Sequence, residues 1–328
     1  MPKLTQYFIL IALFFLSIIT SFLICKTLIR VQKRKHVAQP VHALGVKTHF
    51  KKSGTPLFGG VSFFLAPLLI FLPLCFFNMQ GERNLGFLFG ISSFFFIGLS
   101  DDLIKGLKKN EKGLRASVRI MLEIISSCLC LIMMGFDESF TWTINFYPFN
   151  KEVFIGILYL FLCIFMIIGS ANSANLMDGL DGLSSGVTLI GLAAIMCLSF
   201  IDRENFLGTY LLLLCGGIIG FLILNSHPAK IFMGDCGSLF LGATLALSTI
   251  YLDKILLLPL VGFLYIVETL SVIIQVIYFK FTHKRVFLMA PIHHHFELKH
   301  VPEYRITLSY YLCQSAIVIV ILLMEVLI

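Results

Sequence analysis

The residues of this chain equipped for chemistry are gathered in five short strings. Ser100-Asp101-Asp102-Leu103-Ile104-Lys105 places two carboxylates where an apolar run ends. At a membrane boundary, each would cost up to ~3 kcal/mol if buried and unpaired. On a helix Asp101 and Lys105, four apart, share a face, while Asp102 turns about 100° away toward a different partner. Alone, the pair reads as a solvated helix end. Asn172-Ser173-Ala174-Asn175-Leu176-Met177-Asp178-Gly179-Leu180-Asp181-Gly182 repeats a polar residue every three positions. One continuous helix would carry Asn172 and Asp181 to opposite sides, and Gly179 and Gly182 disfavour it, so a helix end or break is expected here. This string holds no Lys or Arg, so its Asp pair calls for a cation or ligand from elsewhere.

The third string, Asn225-Ser226-His227-Pro228-Ala229-Lys230-Ile231-Phe232-Met233-Gly234-Asp235-Cys236-Gly237-Ser238, joins two apolar runs. Gly234 and Gly237 leave backbone N–H groups open beside Asp235, which suits a phosphate next to a bound metal; Asp235 as a simple helix cap is the plainer alternative. In Ala290-Pro291-Ile292-His293-His294-His295-Phe296-Glu297 three successive His cannot chelate one zinc with helical geometry, and HExxH and CxxC companions are missing. They make better donors to phosphate or carbohydrate oxygens. Finally, in His49-Phe50-Lys51-Lys52-Ser53-Gly54-Thr55-Pro56-Leu57-Phe58-Gly59-Gly60, Lys52 is a candidate phosphate ligand, although most of these lysines also read as a topology signal. Carboxylates gathered with cations and no thiolates favour Mg²⁺, and that set points to phosphoryl chemistry.

The elements that hold these strings must be membrane helices. Of 328 residues 58% are hydrophobic and 13% charged, too little charge for the surface of a soluble domain. Apolar runs predict ten spans, near 7–29, 57–77, 85–101, 117–135, 153–170, 183–200, 206–224, 237–252, 255–279 and 306–327, in one all-α polytopic membrane domain covering 1–328. The odd-numbered connections hold 20 of the 25 Lys and Arg, counting Lys26. That bias puts those connections, and the motifs with them, in the cytoplasm and both termini outside. The remaining loops read as short and bland. The net charge of +7 is thus a topological and lipid-surface feature, and no nucleic-acid motif accompanies the basic clusters. The nine Cys form no CxxC pair and read as small packing residues. The first run lacks a small-residue cleavage site and reads as a retained span.

Taken in order, KKSGTP…GG, SDDLIK, NxxNLxDGxDGL, FMGDxGSL and APIHHHFE resemble the motif set of the polyprenyl-phosphate N-acetylhexosamine-1-phosphate transferase superfamily, over residues 51–305. The His-rich string is similar to that of its phospho-N-acetylmuramoyl-pentapeptide transferase branch. The resemblance implies transfer of phospho-MurNAc-pentapeptide from UDP-MurNAc-pentapeptide to undecaprenyl phosphate with Mg²⁺, giving lipid I and UMP, in the bacterial cytoplasmic (inner) membrane. It implies Asp235 as metal ligand, Asp101 deprotonating or aligning the lipid phosphate, Asp102 supporting it and His294 acting beside them. Lys52, Lys105, Asn175, Asp178, Asp181, Asn225, Phe232, Ser238, His293 and His295 fall at substrate-contact positions, Lys105 as the charge neutraliser near the diphosphate. Leu57 and Cys236 stand where the family commonly has Thr, so a hydroxyl is lost at each. A sister transferase using UDP-GlcNAc and, from another class, a multispan transporter are the alternatives. The sequence leaves room for a homodimer.

Overall fold

The computed structural model describes residues 3–35, 54–75, 81–108, 113–135, 142–146 and 151–327. Its architecture is all-α. The helices are α1 (Lys3–Lys35), α2 (Gly60–Cys75), α3 (Glu82–Lys108), α4 (Ala116–Gly135), α5 (Ile157–Met177), α6 (Leu183–Ile201), α7 (Asn205–Asn225), α8 (Asp235–Tyr251), α9 (Leu258–Val261), α10 (Phe263–Thr282), α11 (Ile292–Leu298) and α12 (Glu303–Leu327). Eight of them are long and apolar enough to cross a membrane; α2 and α8, of 16 and 17 residues, are shorter. The protein is a multi-pass membrane protein.

The bundle is built around α8, whose residues from Cys236 to Tyr251 are all buried, and α2, α3, α5 and α6 pack directly on it. In lipid, helices associate by close packing of small residues rather than by a hydrophobic drive. Accordingly a Cβ at Gly98 of α3 would collide with the Asp235 carbonyl, one at Gly60 with Gly237, and one at Gly242 with the Ser170 carbonyl. Gly216 and Gly220 of α7 admit the backbone of α1 in the same way.

Three expectations change. The ninth predicted span is broken: a 3-10 turn (Ile255–Leu257) and α9 end at Gly262 before α10 begins. The break is tolerated because buried Gln314 of α12 donates to the Leu260 and Val261 carbonyls, at 3.2 and 2.9 Å, restoring partners that lipid could not supply. The connection read as bland between α4 and α5 carries an antiparallel hairpin, β1 (Thr143–Phe146) with β2 (Lys151–Phe154). The fifth span therefore starts at Ile157 rather than 153, and it runs on to Met177. Likewise α3 continues through Asp101, Asp102 and Lys105 to Lys108, so that string lies on a helix and not at its end.

Candidate active site

One end of the bundle collects the C-terminal ends of α3, α5 and α7, the N-terminal ends of α4, α6, α8 and α12, and α11. There α3 aims Asp101 and Asp102, both buried, at the first residues of α8. Asp102 Oδ1 accepts from the Asp235 N–H at 3.1 Å and Oδ2 from the Cys236 N–H at 2.9 Å. This carboxylate caps α8 from another helix, satisfying donors that a helix start leaves open. Gly234 precedes them at φ 79°, in the region that favours glycine, and a Cβ on it would run into the Asp102 carboxylate. Asp235 is consequently not the cap itself but the first residue of the helix, its side chain left over for other work.

That side chain is surrounded. Asn175, near the end of α5, donates to Asp235 Oδ1 at 2.8 Å and to Ser238 Oγ at 2.9 Å. Lys105 Nζ stands between two carboxylates, 2.7 Å from Asp235 Oδ2 and 2.5 Å from Asp101 Oδ2. Asp101 Oδ1 also accepts from the Leu114 N–H at 2.5 Å. A cation thus already bridges the two acids, so the space between them fits positive charge, and the oxygen-only donors there suit a hard cation such as Mg²⁺.

Sequence reasoning missed Arg119. Its guanidinium lies 3.8 Å from Asp235 Oδ2, is 3.5 Å from buried Glu123 and donates to Asn172 Oδ1 at 2.6 Å, while Asn172 donates to Glu123 at 2.7 Å. The available signal was an acid inside a span, four residues after an Arg.

A second polar knot forms beside this one. The turn predicted in the second string follows α5, with Asp178 as its C-cap, and Asp181 is buried. Asp181 Oδ2 accepts from the Ala229 N–H at 3.0 Å and meets His227 Nδ1 at 3.1 Å; its own N–H donates to Glu303 at 2.6 Å. Among the described residues, Asp181, His227 and Glu303 are the group whose ligand atoms converge as a metal site's would, yet these hydrogen bonds already account for their closeness. Asn225 is a strut: it accepts from the Gly182 N–H at 3.1 Å and donates to the Ile231 carbonyl at 2.8 Å.

Part-buried Phe232 is fixed by its backbone, which pairs with Pro56 and Gly59 at 2.8 Å each and so joins the fifth string to the third. Leu57, lacking the hydroxyl, is held through its backbone by Gln32 at 2.8 and 2.5 Å. Cys236 likewise works through its N–H. Lys52 lies outside the described residues.

The three His diverge. His293 is fully buried, its Nδ1 3.1 Å from Glu268 Oε2 without the alignment of a hydrogen bond, and its ring rests on Gly179, where a Cβ would strike Nε2. Tyr310 donates to the same Glu268. His294 pairs with Glu297 at 3.1 Å, and His295 Nδ1 accepts from the Leu288 N–H at 3.1 Å. His293 thereby touches the Asp178–Asp181 turn.

Residues 84–253 of this membrane bundle match the family model described as Glycosyl transferase family 4, which puts the chain in a class of membrane transferases. The chain is 38% identical to a phospho-N-acetylmuramoyl-pentapeptide-transferase of Listeria monocytogenes, over 83% of this chain and 85% of the relative. It is 34% identical to the protein of that name from Staphylococcus carnosus, over 89% and 91%, and 35% identical to that of Staphylococcus aureus over the same shares. This chain belongs to the phospho-N-acetylmuramoyl-pentapeptide transferase family.

Proposed function

We propose that this enzyme transfers phospho-MurNAc-pentapeptide from UDP-MurNAc-pentapeptide to undecaprenyl phosphate, forming lipid I and releasing UMP at the cytoplasmic face of a bacterial inner membrane. In this reading the chain spans the membrane ten times with both termini outside. The observation that carries it is Lys105 bridging Asp101 and Asp235 at the start of α8, with Asn175 and Ser238 beside them.

In the reaction an oxygen of the lipid phosphate attacks the sugar-linked phosphorus, and the bond from that phosphorus to the UMP oxygen breaks. Asp101, oriented by Leu114 and Lys105, aligns the attacking phosphate and takes its proton where it carries one. Lys105 and Arg119 offer positive charge to the diphosphate. Asp235, with Asp101 beside it, is the residue to hold Mg²⁺, which when bound supplies further charge to the diphosphate oxygens. Asp102 serves through α8, by fixing the backbone that carries Asp235. Asp178, Asp181, Asn225, Phe232 and Ser238 shape the donor's seat, with Lys52 joining from its basic segment. His293 and His294 bring donors to it, whereas His295 turns to Leu288. The apolar tail of the acceptor stays in the bilayer, where the far part of α10 presents exposed Ile273, Val276, Ile277 and Phe281.

Purified protein given undecaprenyl phosphate, Mg²⁺ and either UDP-MurNAc-pentapeptide or UDP-GlcNAc is expected to release UMP from the first alone. Release from UDP-GlcNAc alone would move the chain to the sister reaction.

A further inference from the structure

Beyond α10 the chain makes a hollow of about 310 Å³ lined by Arg285, Val286, Phe287, Leu288, His295 and Lys299, at the small end of ligand pockets. Its wall is ordered by polar ties rather than by a core. Gln275 of α10 accepts from the Val286 and Phe287 N–H groups at 3.0 and 2.9 Å and donates to the Phe287 carbonyl at 3.1 Å. Arg285 closes the turn on the Leu288 carbonyl at 3.1 Å, and the rings of Phe287 and His295 meet edge to face at 5.8 Å.

The charge of this hollow is one-sided. Among the described residues neither Arg285 nor Lys299 has an acid within ion-pair distance, although elsewhere in the chain Lys105, Arg83 and Lys254 all do. His295 accepts at Nδ1 from Leu288, so its ring proton sits on Nε2 and that nitrogen is a donor. Two cations and a neutral N–H donor beside Val286, Phe287 and Leu288 suit a carboxylate carried on an apolar stem. The hollow also lies back to back with the site: His293 and His295, two residues apart on α11, face about 200° from one another, the first toward Gly179 and the second toward Leu288.

We propose that this hollow binds a carboxylate of the peptide arm of the donor, so that α11 separates the reacting diphosphate from the peptide's anchor. The inference rests on the donor assigned under Proposed function, whose peptide ends in a carboxylate. An anionic lipid headgroup is the other source of such charge beside α10, and the test separates the two.

UMP release is measured with UDP-MurNAc-pentapeptide and with the same donor capped as its C-terminal amide, for the wild type and for an Arg285→Gln/Lys299→Gln variant, in nanodiscs of neutral lipid. Both side chains are exposed, so the fold is expected to survive the exchange. The expected result is a KM for the free-acid donor raised about tenfold in the variant at unchanged kcat, with the two proteins alike on the amide. An equal KM for the free-acid donor in both proteins, or an equal rise on both donors, overturns the assignment. So does an effect seen only when anionic lipid is added, or one confined to the KM of the lipid acceptor. A wild type that releases UMP from neither donor sinks the assigned reaction and this inference with it; one active on both donors leaves that reaction standing whatever the variant does.

Discussion

The two ends of the bundle are built from the same side chains and used oppositely. At the end away from the motifs, Arg83 pairs with Asp253 at 2.8 Å and lies over the Tyr251 ring at 4.7 Å, and Lys254 pairs with Asp202 at 2.7 Å and with Glu325 at 3.6 Å. These ties join α3 and the ends of α6, α8 and α12, and each of these acids has a cation within 3.6 Å. At the motif end one lysine is divided between Asp101 and Asp235, Asp102 is committed to backbone N–H groups, and Arg119 reaches Asp235 only at 3.8 Å. A closed pair holds helices together. At the motif end the acids outnumber the cations that reach them, and in the proposed reading a metal ion would supply the balance.

If that contrast is right, Asp235→Asn separates chemistry from stability most sharply. It is expected to cut UMP release by at least about a hundredfold while the thermal midpoint in detergent stays near that of the wild type; full Mg²⁺-dependent activity in this variant would break the metal assignment. Arg83→Ala should do the reverse. Arg83 also donates to the Tyr251 carbonyl, and leaving that carbonyl and Asp253 without their cation is expected to cost about 3 kcal/mol, read as a lower melting temperature, with kcat/KM of the folded fraction unchanged. Asp102→Ala belongs between the two ends: loss of the α8 cap costs about 2 kcal/mol and displaces Asp235, so both melting and turnover should fall. A variant that melts like the wild type would show that Asp102 is no cap.

The smallest effect concerns pH. Burial, outweighing the pull of Arg83, raises the Asp253 carboxyl to about 6 from its ordinary 3.8. The folded state therefore holds this proton more tightly than the unfolded one does. The stability it contributes is full at acid pH and is lost as the pH rises through about 6. Asp253→Asn should flatten the dependence of the melting temperature on pH between about 4 and 6; an unchanged slope would show that another group causes it.

Most of the helical framework was legible because lipid demands long apolar runs, and the motif strings were legible because Asp, Asn and Gly have no packing reason to recur there. What escaped was decided by distant partners. Asp101 and Asp102 looked like the close of a helix, yet α3 continues past them because Lys105, Leu114 and the start of α8 absorb their charge. The break at Gly262 was invisible because its remedy, Gln314, comes from α12. Asp235 was read with a helix cap as its plainer role, and only the approach of α3 shows that the cap is Asp102.

The complete enclosure of α8 bears on how the enzyme copes with its solvent. Bilayers differ in thickness, and helices that touch lipid answer such mismatch by tilting or bending. From Cys236 to Tyr251, α8 touches none, so that strain falls on its neighbours. The Asp235 carboxylate thus rides on a mast insulated from the membrane, and its register with α3 should hold as lipid composition changes around the bundle.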